Sequence, residues 1–167
     1  MKDHEVRLTD QIHLRPVSSD DREFLLRVYE CSREIELSMV PWDESTKRAF
    51  AEHQLDAQTS HYTSEYPGAQ HCVIVSSEDD ERVGRLWVNR TDAHIAMLDI
   101  TVLSEYRQRG IGSTVVGSLV DEAQSSGKSV EVYVETFNPS QEFFAKRGFE
   151  VENNDGMNLK LVRYAKR

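Results

Sequence analysis

The chain has 167 residues, 38% hydrophobic and 29% charged, with a net charge of −9; that is enough for one domain with its own core and too short for two ordinary ones. No stretch approaches the roughly 18 apolar residues that span a bilayer. A negative balance without clustered Lys and Arg argues against nucleic acid and favours a cationic partner.

Residues 1–11 read as a polar tail with no apolar signal-peptide core, so the cytoplasm is the expected compartment and 12–167 the domain. A short strand over 12–16 leads to Ser18, Ser19, Asp20 and Asp21, which supply caps for a helix whose apolar positions Phe24, Leu25, Val28 and Tyr29 recur at helical spacing. Pro41, Trp42, Asp43 and Glu44 open a second helix containing Phe50, Leu55 and Tyr62, which ends before Pro67 and Gly68. The pattern then changes to strands over 71–76, 82–89 and 95–103, joined by turns at 77–81 and 91–92, an antiparallel meander. The third of these is apolar on both faces apart from Asp99 and Thr101, as expected of a central strand covered on both sides.

A glycine turn follows, Arg107-Gln108-Arg109-Gly110-Ile111-Gly112-Ser113, and opens an amphipathic helix with Ile111, Val115, Leu119 and Ala123 that Gly127 stops. Strand, glycine turn and helix together form a phosphate-binding device. The first-turn N–H groups have no intrahelical partner, the macrodipole adds positive character, and glycine lets an anion approach the main chain. A dinucleotide fingerprint needs a third glycine where this chain has Val115, and a P-loop needs Gly-Lys-Ser or Gly-Lys-Thr. A strand over 129–135 alternates Val130, Val132 and Val134 with Glu131, Tyr133 and Glu135 and should run parallel to the one before the turn. Asn138 and Pro139 cap a short helix that Gly148 ends, and 149–164 reads as a hairpin. The order is βααβββαβαββ. Cys31 and Cys72 form no CxxC pair, and His4, His13, His53, His61, His71 and His94 show no ligand spacing, so no metal is expected.

This order, the run Leu98-Asp99-Ile100-Thr101-Val102-Leu103, and the Arg107, Gly110, Gly112 spacing resemble the GNAT superfamily of acyl-CoA-dependent N-acetyltransferases. A second block, Asn138-Pro139-Ser140 followed by Phe143-Phe144 and Arg147-Gly148-Phe149, is similar to that family's Asn-Pro run. The resemblance covers most of the chain. It implies one α/β domain whose mixed, mostly antiparallel twisted sheet of about seven strands carries helices on both faces. The implied activity is transfer of an acetyl group from acetyl-CoA to a primary amine in a ternary complex. The pyrophosphate of coenzyme A is expected on the N–H groups of Gln108, Arg109, Gly110, Ile111, Gly112 and Ser113, with Arg107 beside them. Pantetheine is expected between two splayed strands, against the backbone of Ile100 and Val102, with Asn138 and Phe144 facing it. Homodimers are common in the superfamily, and a homodimer is a further expectation.

Attack of an amine on a thioester calls for a base, an oxyanion donor and an acid. In the family the donor is usually a backbone N–H of the strand that ends near Val102. The usual acid, a tyrosine, is replaced by Phe144, which leaves water or Tyr133 for that role, or a coenzyme A binding module without turnover. Glu135, beside the expected splay, and Asp99, the one acidic residue in an apolar strand, are the candidate bases. His94, at a turn, is the weaker third. Strict alternation puts Asp99 on the face opposite His94 and Ala96. Trp42 and Trp87 read as core or as walls of an acceptor pocket. Acidic Glu34, Glu36, Asp43 and Glu44 suit a small cationic amine or an amine of a protein.

Overall fold

A computed structural model describes residues 5–167; His4 and the first four residues of the stretch read as a tail lie outside it. The elements are β1 (Val6–Arg7), β2 (Ile12–Pro16), α1 (Arg22–Ser32), α2 (Glu34–Ser38), α3 (Glu44–Glu65), β3 (Gln70–Ser76), β4 (Arg82–Arg90), β5 (His94–Val102), α4 (Ile111–Ser126), β6 (Ser129–Glu135), α5 (Ser140–Ala145), β7 (Glu150–Asn154) and β8 (Asn158–Arg163). They form one eight-stranded sheet in the order β1-β2-β3-β4-β5-β6-β8-β7. Every pairing is antiparallel except β5 with β6.

Two elements exceed the sequence expectation. Val6 and Arg7, inside the stretch read as a tail, pair with Leu14 and His13; two residues are too few to show alternation. The single turn α2 follows α1 directly and buries only Leu37, so it has no periodic stripe to betray it. The other expected elements lie where the apolar pattern puts them. Asp43 accepts a hydrogen bond from the Thr46 N–H at 2.8 Å and starts α3, a cap worth about 1 kcal/mol. Gly127, at φ 69°, closes α4.

Residues alternating along β3 separate the two cores. Val73 and Val75 join Phe24, Leu25, Leu26, Val28 and Tyr29 of α1 and Ala51 and Leu55 of α3. Ile74 points the other way, into the cluster of Val115, Val116 and Leu119 of α4 with Phe144 and Phe149. Each such apolar side chain removed from water contributes about 1.5–3 kcal/mol, so the central strands are fixed by burial on both faces.

A bulge in β5 changes the phase of that strand. Trp87 faces Asp99 and Val88 faces Met97, which leaves Leu98 without an opposite residue on β4. An inserted residue shifts every later side chain to the other face. Asn89 pairs with Ala96 and Trp87 with Asp99, so Asp99 shares the α1–α3 face with His94 and Ala96. Strict alternation predicts the opposite face, and the bulge is the reason it fails.

Candidate active site

The bulge coincides with the point where β5 and β6 part. Their parallel pairing runs from His94 and Ser129 to Met97 and Val132 and stops. Beyond it β5 continues to Val102 on β4, while β6 continues to Glu135 on β8. A wedge therefore opens between two strands whose outer edges stay held. On the side toward β6, the backbone of β5 from Leu98 onward is without a strand partner. The Tyr62 hydroxyl of α3 donates to the Leu98 carbonyl at 2.9 Å, so the carbonyl of the inserted residue is held from the α1–α3 side.

At the end of β5 the chain turns into α4. Gln108 has φ 62° and Gly110 has φ 81°, the left-handed region that glycine adopts without strain and other residues rarely do. Thr114 is the first residue of α4 whose N–H finds a helical carbonyl, that of Gly110 at 3.0 Å. The N–H groups of residues 108–113 donate to no backbone carbonyl or side chain among the described residues, which makes six consecutive donors at a positive helix end. Gly112 faces open space: a Cβ there meets only Phe143 Cζ, at 3.9 Å. Ile111 is itself buried, so it can offer a ligand only its backbone.

The expected cofactor residues differ in what is left for a ligand. Arg107 turns back: its Nε donates to the Val102 carbonyl at 3.1 Å and its Nη2 lies 3.5 Å from Cys31 Sγ. Val102 thus already has a partner for its carbonyl, and Ile100 is the freer of the two expected positions. Arg109 lies over the Tyr106 ring. Asn138 Oδ1 accepts from the Ser140 N–H at 2.9 Å, while its Nδ2 donates to nothing among the described residues. Phe144 is 3% exposed and packs edge-on against Phe143 and Phe149, so it is a core residue that carries no proton to give. Phe143 is the one that nears Gly112. Over it lies Arg147, 3.5 Å from the ring centroid, which also donates to Ser113 Oγ. Arg147 thus adds a positive charge at the first turn of α4. In the sequence it stood only as part of a motif.

Both candidate bases are engaged by arginines. Glu135 Oε1 accepts from Arg33 Nη1 at 3.0 Å, and Arg33 also lies 3.5 Å from Glu36. Burial works against the charge on Arg33, but its bonds to Glu135 and Tyr29 outweigh that and raise its pKa overall. Asp99 Oδ2 accepts from Nη2 of Arg85, and its Oδ1 from Thr101 Oγ1 at 3.0 Å. Arg85 is fully buried and also reaches Gln58 Oε1 at 3.0 Å. Trp87 lies beside it, its ring stacked on His71 at 3.9 Å and edge-on to Tyr62. Arg85 and Asp99 are opposite charges on neighbouring apolar strands, a pairing signal that the sequence contains. His94 lies 3.8 Å from Glu131 and half-buried. Trp42 is 40% exposed and rests on Phe50, on the outside of the helices. Among the described residues no group of three His, Cys, Asp or Glu side chains could hold a metal ion, and no helix is long and apolar enough to cross a membrane.

Residues 28–149 match the model of the acetyltransferase (GNAT) family. The chain belongs to this family. As a GNAT acetyltransferase it is an acyl-CoA-dependent enzyme, and solved structures share its fold over nearly their whole length. A PaiA N-acetyltransferase from Thermoplasma acidophilum, in complex with coenzyme A, is 19% identical with a TM-score of 0.66, over 92% of this chain and 98% of that one. A GNAT-family acetyltransferase from Bordetella pertussis, its assignment provisional, is 17% identical with a TM-score of 0.65, over 96% and 99%. An acetyltransferase from Salmonella typhimurium that modifies the N-terminal serine of ribosomal protein L7/L12 is 13% identical with a TM-score of 0.66, over 98% and 100%. The wedge and the glycine turn of this GNAT enzyme therefore sit in a fold that the Thermoplasma structure shows with coenzyme A.

Proposed function

We propose that the chain moves an acetyl group from acetyl-CoA to a primary amine by direct transfer, with both substrates bound together. The observation that carries this reading is the meeting, at one end of the sheet, of a wedge between parallel strands and six unpaired N–H groups at a helix start. The residues fit coenzyme A: the donors suit a pyrophosphate, and Gly112 leaves the approach clear. Residues 108–113 are proposed to hold the pyrophosphate, with Arg147 and Arg109 adding charge. Backbone of β5 about Ile100 is proposed to lie along pantetheine, with Asn138 Nδ2 opposite. A few charge-assisted hydrogen bonds of about 1.5–3 kcal/mol each are enough for micromolar affinity after binding entropy.

Acetyl-CoA supplies the activated acetyl group, and the chain's own residues orient it and receive the amine. Glu135 is proposed as the carboxylate that attracts the acceptor's ammonium, exchanging its Arg33 bond for it. Asp99 is proposed to act through Arg85 and Thr101, keeping the strand beyond the bulge in place. Neither carboxylate stands as a free base, so the ammonium gives its proton to water before the neutral amine attacks the thioester carbonyl. Phe144 has no hydroxyl, so water, or exposed Tyr133, protonates the leaving thiolate.

Titration calorimetry with acetyl-CoA, on the wild type and on Gly112→Leu, tests the cofactor site. Micromolar binding that the variant loses supports it, and equal affinity in the two proteins refutes it. Release of free thiol on a panel of amines then tests transfer. One observation favours a second reading: the missing hydroxyl at Phe144 suits a coenzyme A binding module without turnover, and binding with no acceptor-dependent thiol release is its signature.

A further inference from the structure

Under α4, toward the β1 edge of the sheet, lies a recess of about 240 Å³. Leu14, Leu86 and Val88 contribute to its floor, and Val115 and Leu119 of α4 to its roof. None of the described residues that line it belongs to β5 or β6, the two strands between which the wedge opens. The helix whose start carries the free N–H groups is thus the wall of a second space that the proposed transfer does not use.

Size and charge limit what this space can hold. An apolar cavity of about 150 Å³ takes one benzene, so the larger recess accommodates a bicyclic ring system, whereas a polypeptide segment or a second copy of the chain needs a longer groove. At the rim, Arg90 Nε and Nη2 donate to Glu122 at 2.6 and 3.0 Å, and its Nη1 donates to Gln70 Oε1 at 2.5 Å. The guanidinium and the carboxylate therefore cancel, and they tie β4 to α4. Burial pushes the Cys72 thiol up and His71 down, so these two lining groups are neutral at pH 7. A charged ligand gives up hydration here and meets no unpaired opposite charge.

One hydrogen-bonding position is left inside. Thr114 and Ser126 of α4 each donate their hydroxyl to the carbonyl four residues back, that of Gly110 and of Glu122, at 2.8 Å. Ser118, between them on the same helix, lines the recess, and its hydroxyl has no such partner among the described residues. A hydroxyl in that position can accept from a ligand or donate to one. The geometry points to a second binding site under α4 for a neutral, flat bicyclic molecule with one hydrogen-bonding group. Indole is the simplest probe of that class, its rings between the apolar floor and roof and its N–H donated to Ser118 Oγ.

The test is calorimetric titration of the full chain with indole, with and without saturating acetyl-CoA, beside Ser118→Phe and Cys72→Leu, which fill the recess from its roof and its floor. Tryptamine and indole-3-acetate probe the charge, and wild-type methyl resonances report the place. The expected result is one indole per chain with Kd below about 1 mM, unchanged by acetyl-CoA, and shifts at the methyls of Val88, Val115 and Leu119. Either variant that keeps the wild-type urea midpoint should bind indole at least about tenfold more weakly, with acetyl-CoA affinity unchanged, and both charged analogues should be weaker by a similar factor. No saturable binding to the wild type overturns the proposal. Displacement by acetyl-CoA also overturns it, because indole then lies in the wedge, as do methyl shifts confined to residues away from the recess. Undiminished affinity in a folded variant removes the assignment to this recess, and equal binding of a charged analogue overturns the neutral class.

Discussion

Single residues at the wedge are held by partners that the chemistry does not itself supply. Asp99 is the charge partner of a fully buried arginine, and removing one member of such a pair leaves the other unpaired away from water. Asp99→Leu should therefore lower stability by about 3 kcal/mol, read from the urea midpoint, whereas a solvated carboxylate would cost almost nothing. Gly84 is constrained by space: a Cβ there comes 2.4 Å from the Thr101 carbonyl oxygen, so Gly84→Ala forces β4 and β5 apart. Gly112 is the opposite case, with room for a side chain. Gly112→Leu should unfold at nearly the wild-type midpoint and bind acetyl-CoA more than about tenfold more weakly; joint loss of fold and binding would remove the argument for an anion approach at that position.

Among the elements, α3 is tied to the wedge through one hydroxyl. Tyr62 packs edge-on to Trp87 and donates to the carbonyl of the inserted Leu98; burial, and then the Asp99 charge, raise the pKa of its phenol, so it remains a donor at neutral pH. Tyr62→Phe keeps the ring and loses the hydrogen bond, at about 1 kcal/mol of stability. If that bond sets the course of β5 past the bulge, kcat falls while acetyl-CoA affinity, proposed to reside mainly at α4, changes little. Equal turnover in the two proteins would reduce Tyr62 to a packing residue. The helical pattern already put Tyr62 on the apolar side of α3. Its hydroxyl partner was not legible, because the bulge that presents the Leu98 carbonyl depends on pairing with β4.

On the scale of the whole molecule, two groups, one buried and one half-buried, make stability depend on acid. Asp21 is 1% exposed and ties β2 and β4 to the start of α1: both its oxygens accept from Arg15 at 2.8 Å and one from Arg82 at 3.2 Å. The Arg15 hydrogen bonds, with the Ser18 N–H and Arg82, hold its carboxyl well below the usual value of 3.8. Burial, and then the Arg85 charge, push His71 down to about 3 from 6.5. The unfolded chain thus binds a proton on His71 that the folded one refuses, so stability is lost as pH falls from about 6.5 toward 3. Asp21 contributes fully above its unfolded value and loses that contribution as pH falls through its depressed folded value, in the same direction. His71→Phe keeps a ring on Trp87 and should flatten the unfolding midpoint between pH 6.5 and 4. An unchanged slope in that window would assign the acid sensitivity elsewhere.

Much of this was legible from residue order alone. Apolar periodicity located α1, α3, α4 and β2 to β6 because burial on a regular element repeats at that element's own period. The glycine turn pointed to an anion because unpaired helix N–H groups are a local property of the backbone. The bulge at Leu98, the face of Asp99, and the arginine that holds Glu135 were decided only by tertiary structure. Each depends on which residue of another segment lies opposite, and Arg33 and Glu135 stand 102 positions apart. Local patterning determined the elements and the glycine turn; the packing of α1, α2 and α3 against β4, β5 and β6 determined what the carboxylates in the wedge are free to do.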